Sequence, residues 1–215
     1  LHYPLRRQRQ MCIRDSQEAA IKFVVDEVCV HRAGARTVKE MAPKGSEGSN
    51  GIVERAVKAV EQVLRTNKSS LDERLAVQVD LRHPVLTWLR EYVSFQMNRL
   101  EVASDGKTPY ERVKGKRAEI TGLEFAERVL YVHHQGKRME KLNARWSYGL
   151  FLGVRPETGE LFVVDGDSKE LQYVRTVKRV PVEQRWNPDH LQWVTMVPWT
   201  VSYTHLRAHE TDSYL

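Results

Sequence analysis

The chain has 215 residues, and 34 Lys and Arg against 28 Asp and Glu give it a net charge of +6 at pH 7. Two cysteines, Cys12 and Cys29, are too few for a disulfide framework, and no apolar run is long enough to span a membrane. These features exclude disulfide-rich secreted and membrane-spanning classes and favour a soluble, intracellular protein. The positive charge permits nucleic-acid binding without requiring it.

The sequences at both ends of the chain resemble sequence that was added to a native protein. Residues 6–16 resemble the translation of a sequencing-library adaptor, and residues 201–211 resemble that of its partner adaptor. We therefore expect residues 1–16 and 200–215 to be adaptor-derived and not native, so they carry no information about the fold of the native protein. The remaining 29 basic and 25 acidic residues carry a net charge of +4.

Helical spacing dominates the first half of the remaining sequence. Residues 17–30 have apolar positions at helical intervals and predict a helix. Residues 34–49 predict a polar loop, after which Asn50 or Gly51 should start a helix reaching about Thr66. Apolar side chains at helical spacing predict one buried stripe along this helix, formed by Val53, Ala56, Val57, Val60, Val63 and Leu64.

Two more helices should follow. Residues 67–70 break the pattern, and a serine of this stretch should cap a helix from Leu71 to about Leu81. His83-Pro84 starts another helix, which should pack its apolar side on the preceding helices and end before residues 104–106. The faces of that helix are defined by Val85, Trp88, Leu89, Tyr92, Phe95, Gln96 and Arg99.

From Glu119 the pattern alternates as in β-strands. Short β-rich runs separated by Gly, Pro and Asp predict strands near residues 129–133, 146–154, 161–164 and 171–177. Several short strands in so few residues suit a small barrel or sandwich. Aromatic side chains in these runs should belong to its core: Tyr131, Trp146, Tyr148 and Phe151. For residues 185–199 the pattern indicates no particular structure.

A family resemblance rests on motifs in a fixed order. The run Ser49–Arg55 resembles the Asn-Gly-x-x-Glu-Arg signature of retroviral and retrotransposon integrases. Residues 88–116 resemble the end of the integrase core of copia-type elements, through Trp88, Tyr92, Asn98, Thr108-Pro109-Tyr110-Glu111 and Gly115-Lys116. The runs 149–153 and 173–177 resemble the small β-domain that follows that core. The motifs are co-linear over residues 17–199, which is more specific than any one of them.

The resemblance implies an α+β fold in several parts. Residues 17–106 would be the C-terminal part, mostly helices, of a truncated ribonuclease H-like integrase core. A basic linker at 107–118 would lead to an SH3-like β-barrel at 119–183 and a tail at 184–199. The intact parent would be a homo-oligomer that binds element ends and target DNA, in the nucleus or in a virus-like particle. With Mg²⁺ or Mn²⁺ it would catalyse 3′-end processing and strand transfer.

In this family three acids, Asp, Asp and Glu, hold the metal ions, and Glu54 matches the third of them. The resemblance thus makes Glu54 a catalytic residue and a metal ligand. The second acid would fall at position 16, where the chain has Ser16, and the first has no counterpart. Because one carboxylate cannot hold two divalent ions, we expect this chain to bind no metal and to be inactive. Glu54 could instead simply cap its helix and pair with Lys58.

Asp26 and Glu27 could be considered as substitutes for the missing acids. They lie within a helical pattern, with no turn to direct them towards Glu54. We therefore expect both to be ordinary surface residues.

Basic residues suggest where DNA would be bound. One cluster lies in the segment 107–118, a second precedes Trp146, and Lys58 lies one turn beyond Glu54. Such clusters are also common on solvated surfaces. The candidate DNA-binding residues are Lys58, Lys114, Lys116, Arg117, Lys137, Arg138, Lys141 and Arg145.

The alternatives to an integrase are a non-catalytic DNA- or chromatin-binding protein built on the β-domain, and a cut-and-paste transposase.

Overall fold

The computed structural model describes residues 10–15, 18–32, 36–41, 51–120, 122–132 and 145–200. The chain is mixed α+β and divides into two compact units, residues 1–59 and 60–215. Across the described ranges, no helix is both long and apolar enough to cross a membrane.

The first unit contains a parallel pair of strands, β1 (Gln10–Asp15) and β2 (Arg36–Met41), joined through helix α1 (Ala19–His31). Helix α1 confirms the predicted helix, although Val25 is the one side chain in it that is buried. Strand β2 corrects the prediction of a loop at 34–49. Its β-branched Thr37 and Val38 suit a strand, and β1 supplies the partner hydrogen bonds. Strand β1 lies wholly within the residues that we expect to be adaptor-derived.

Helix α2 runs without interruption from Gly51 to Leu75, so the predicted break at residues 67–70 is wrong. The polar side chains there are accommodated within the helix. Thr66 Oγ1 donates to the Gln62 carbonyl at 3.0 Å, and Asn67 Nδ2 donates to the Val63 carbonyl at 2.9 Å. The helix ends where Ala76 takes a left-handed conformation, with φ of 52°.

The predicted apolar stripe of α2, which ends at Leu64, is at most partly buried, and the buried side chains of this helix lie beyond it. Val53, Val57 and Val60 are 63%, 51% and 40% exposed, whereas Leu71 and Leu75 are buried. A helical stripe is buried only where another element lies against it, and periodicity alone does not say where that is. In the second unit, Asn67 Nδ2 also donates to Gln96 Oε1 at 2.9 Å, which joins α2 to the next helix.

Helix α3 (Val85–Arg99) confirms the predicted helix. It was expected to pack on the preceding helices, but its main partner is strand β4 of the sheet. Val85, Leu89 and Val93 are fully buried. The rings of Trp88 and Phe162 meet edge to face at 5.5 Å, and those of Tyr92 and Phe151 do so at 6.1 Å. The short helix α4 (Pro109–Lys114) follows and contacts α3.

The sheet is antiparallel and confirms the predicted strands. It consists of β3 (Arg128–Val132), β4 (Trp146–Val154), β5 (Leu161–Asp165), β6 (Leu171–Val174) and β7 (Val177–Arg179), in the order β6-β5-β4-β3-β7. The predicted run 171–177 is two strands at opposite edges. Only Arg175 and Thr176 separate them, so their ends lie at most about 11 Å apart. The edges of a flat five-stranded sheet would be roughly 19 Å apart, so this sheet is strongly curled although it is not closed.

The segment after β7 completes the core. It forms two 3₁₀ turns, Val182–Gln184 and Pro188–Trp193, and buries Leu191 and Val194. The indole Nε1 of Trp88 donates to the Met196 carbonyl at 2.9 Å. Residues 185–199 are therefore part of the packed unit. The segment has neither a helical nor a strand period, so its burial is not visible in the hydrophobic pattern.

One buried polar pair lies within the sheet. Tyr131 is fully buried and its hydroxyl donates to Asp165 Oδ2 at 2.5 Å, while the amides of Asp167 and Ser168 donate to Oδ1. Burial raises the pKa of Tyr131, and the carboxylate of Asp165 raises it further. Burial alone would raise the pKa of Asp165, but its hydrogen bonds hold that pKa below the ordinary value. The pair fixes the β5–β6 turn against β3.

We expect Leu89→Ala to lower the free energy of unfolding by about 2–5 kcal/mol, because it leaves a cavity between α3 and the sheet. Leu81→Ala is the control, since Leu81 is 78% exposed and its change should stay within about 0.5 kcal/mol. Urea denaturation followed by circular dichroism measures both. Equal effects of the two substitutions would contradict the packing of α3.

Candidate nucleic-acid interface

Glu54 lies in the first turn of α2 and its side chain is exposed. Lys58 is also exposed and lies one turn further along the same helix. No ion pair between these two side chains is present.

The described residues do not form a metal site around Glu54. No group of three or more His, Cys, Asp or Glu side chains that could hold a metal ion exists within those ranges. Asp26 and Glu27 are surface residues, as expected, with side chains 65% and 53% exposed, and Asp26 pairs with Lys39. Ser16 and the residues 42–50 lie outside the described part. Glu54 alone cannot bind two Mg²⁺ or Mn²⁺ ions.

In the second unit, helix α4 presents the basic segment that the sequence predicted. Thr108 caps it: its Oγ1 accepts from the Glu111 amide, while the Glu111 carboxylate accepts from the Thr108 amide. Gly115 ends the helix in a left-handed conformation, with φ of 70°. The segment 107–118 thus contains a capped helix, and this helix contacts α3.

Two arginines of this segment are already paired with carboxylates. Arg112 makes two hydrogen bonds to Asp105, at 3.0 and 2.8 Å. Together with the Lys107 amide, they lower the pKa of Asp105 to about 2. Arg117 bonds to Glu111 at 3.2 Å. Lys114 and Lys116 are exposed and pair with no carboxylate among the described residues, so they remain available to an anionic partner.

Arg99, at the end of α3, lies beside this segment. Its guanidinium carbon is 4.7 Å from the ring centroid of Phe95 and 4.8 Å from that of Tyr110. The side chain is half-buried and has no carboxylate partner in the described ranges. It lines the same groove as Lys114.

A second set of cationic and aromatic side chains lies on the outward face of β3, β4 and β7. Tyr148 lies opposite Leu130, which lies opposite Lys178 on its other side. The Lys178 ammonium is 4.5 Å from the Trp146 ring, and the Arg128 guanidinium carbon is 3.8 Å from the Tyr148 ring. Tyr131 and Phe151 are core residues as predicted. Tyr148 is 43% exposed, so its predicted place in the core is wrong, and Trp146 is only partly buried.

The structure does not gather all of the candidate DNA-binding residues into one site. Lys114 is the last residue of α4, Lys116 and Arg117 follow it closely, and Arg145 is exposed just before β4. Lys58 belongs to the other unit. Lys137, Arg138 and Lys141 lie outside the described residues.

Sequence reasoning did not identify three cationic residues of these surfaces: Arg99, Arg128 and Lys178. Arg99 and Arg128 have no basic neighbour in the sequence, and Lys178 is followed by only one, Arg179. Arg99 lies four residues after Phe95, and that spacing on one helix face could have indicated a ring contact. The partners of Arg128 and Lys178 come from other strands, so their pairing depends on sheet register.

Comparison of the sequence with known protein families finds no matching family, and comparison with curated proteins finds no significant match.

We expect Mg²⁺ or Mn²⁺ at millimolar concentration to have no saturable effect on the unfolding temperature, because a single exposed carboxylate binds such ions weakly. Glu54→Gln should therefore behave as the unaltered chain does in a thermal-shift titration. Saturable stabilisation by metal that Glu54→Gln abolishes would show that Glu54 has partners after all.

Proposed function

We propose that this chain is part of a copia-type retrotransposon integrase and binds DNA. The observation that carries the proposal is the pair Lys114 and Lys116. They lie three and five residues after the end of the Thr108-Pro109-Tyr110-Glu111 motif, are exposed, and have no carboxylate partners in the described part. Exposed cations without counterions bind phosphates and release condensed ions from DNA, which gives sequence-independent affinity.

The finer description of the fold belongs to the same proposal. We assign the curled sheet to an SH3-like barrel and the preceding helices to the end of a ribonuclease H-like core. The two-residue link between edge strands β6 and β7 supports a barrel-like closure, since it requires the edges to approach each other. Under this proposal the segment 107–118 separates two domains of the parent integrase. In this chain α3, α4 and the sheet belong to one compact unit.

Catalysis is proposed for the parent protein only. There Glu54 would be the third acid of a Mg²⁺ or Mn²⁺ site that performs 3′-end processing and strand transfer. The exposed position of Glu54 in the first turn of a helix suits that role. This chain has Ser16 at the expected place of the second acid, so we propose that it is inactive. Assembly as a homo-oligomer, in the nucleus or in a virus-like particle, is proposed for the parent on the resemblance alone.

A non-catalytic DNA- or chromatin-binding protein is the second candidate. It is favoured by the outward face of β3, β4 and β7, where partly exposed Trp146 and Tyr148 lie beside Lys178 and Arg128. Aromatic rings next to cations can stack on bases or receive other flat groups. This candidate shares DNA binding with the first and differs in assigning Glu54 no function.

We expect the chain to bind duplex DNA of unrelated sequences with similar affinity, which falls steeply with salt. Lys114→Gln and Lys116→Gln should each weaken binding and lower the slope of log K against log salt concentration by about 1. Fluorescence anisotropy over a range of salt concentrations measures both quantities.

The control is Arg65→Gln, which makes the same change in net charge. Arg65 is exposed but pairs with Glu61 at 2.9 Å, so its loss should leave the slope unchanged. Absence of salt-dependent binding would refute the proposed function. An equal effect of all three substitutions would show that net charge, and not the position of Lys114 and Lys116, determines affinity.

A further inference from the structure

One arginine in the groove beside α3 has no carboxylate partner among the described residues, and its planar guanidinium lies against two aromatic rings. Arg99 is in contact with the rings of Phe95, on its own helix, and of Tyr110, on α4. Cation–π contacts leave the N–H donors at the edge of the guanidinium plane available for other bonds. No carboxylate in the described ranges accepts from them.

The groove itself is large enough to receive part of a macromolecule. It has a volume of about 460 Å³ and lies between α3, α4 and the end of β4. Arg99 and Tyr110 also line a neighbouring depression that reaches Lys116 and Arg117. Arg99 thus connects the apolar groove with the cations of the segment after α4.

The packing of Arg99 matters for the strength of anion binding. A long cationic side chain loses rotamer freedom when it binds a ligand, and this loss opposes binding. Contacts with Phe95 and Tyr110 have already restricted Arg99, so less freedom remains to be lost. A planar guanidinium can also donate two parallel hydrogen bonds to one phosphate, which an ammonium cannot do.

We propose that Arg99 is a phosphate-binding residue, prepared by Phe95 and Tyr110, for the backbone of duplex DNA that also contacts Lys114 and Lys116. This inference rests on the proposed DNA binding and adds the residue that anchors it. Glu91 and Glu157 line the groove, and Glu157 and Glu119 line the depression that reaches Lys116. Three cations line that second depression against two in the groove, so it is the more favourable place for a phosphate.

The test compares Arg99→Gln with Arg90→Gln in duplex-DNA titrations by anisotropy. Both variants lose one positive charge from the same helix. Arg90 is exposed and lines neither the groove nor the neighbouring depression, so its substitution changes the charge without changing the proposed site. We expect Arg99→Gln to weaken binding about tenfold and to lower the salt slope by about 0.9. Arg90→Gln should leave the slope unchanged. Urea denaturation of both variants verifies that the fold is retained.

Two further variants separate phosphate contact from charge alone. Arg99→Lys keeps the charge and should keep most of the salt slope, but it should still weaken binding because it loses the planar, two-bond geometry. Tyr110→Leu should weaken binding by a few-fold in the unaltered chain and have no effect when Arg99 is Gln, since the ring acts through Arg99.

The outcomes distinguish this inference from the function on which it rests. A chain that does not bind DNA refutes both. Salt-dependent DNA binding with equal effects of Arg99→Gln and Arg90→Gln refutes the role of Arg99 and leaves the proposed function standing. A dependence on Arg99 seen with duplex RNA and not with duplex DNA overturns the assignment to DNA.

Discussion

The packing of helix α3 on strand β4 is the interaction on which the second unit depends. Strand β4 is buried on both sides over residues 149–154, which requires an apolar cover that the curled sheet cannot supply alone. Leu89 and Trp88 provide that cover, and the Trp88 indole then holds the C-terminal segment through the Met196 carbonyl. Helix, sheet and tail therefore stabilise one another.

The same packing determines where the cationic side chains lie. Because α3 is fixed on the sheet and α4 contacts α3, Arg99, Lys114 and Lys116 are held along one edge of a rigid unit. Capping of α4 by Thr108 and the two arginine–carboxylate pairs leave only some of the local cations available. The count of basic residues in a segment is thus a poorer guide to an anion-binding surface than their pairing.

Sequence reasoning predicted the strands and helices α1 and α3 because their periods are strong and their turn residues are clear. The predicted helix break at residues 67–70 was wrong because Thr66 and Asn67 form hydrogen bonds to carbonyls of their own helix. The predicted burial of Val53 and Val57 was wrong because periodicity does not reveal whether another element covers an apolar helix face. Strand β2, the burial of Leu191 and the exposure of Tyr148 all depend on partners distant in sequence. Glu54 was found by resemblance, whereas Arg99 required the contact between two helices.

Native-state hydrogen exchange tests most directly whether α3 and the sheet form one cooperative unit. The account predicts that the amides of residues 89–96 and those of 149–154 exchange with the same free energy of opening, equal to that of global unfolding. If the α3 amides exchanged much faster while β4 stayed protected, the helix would belong to a separate domain and the shared helix–sheet core described here would be wrong.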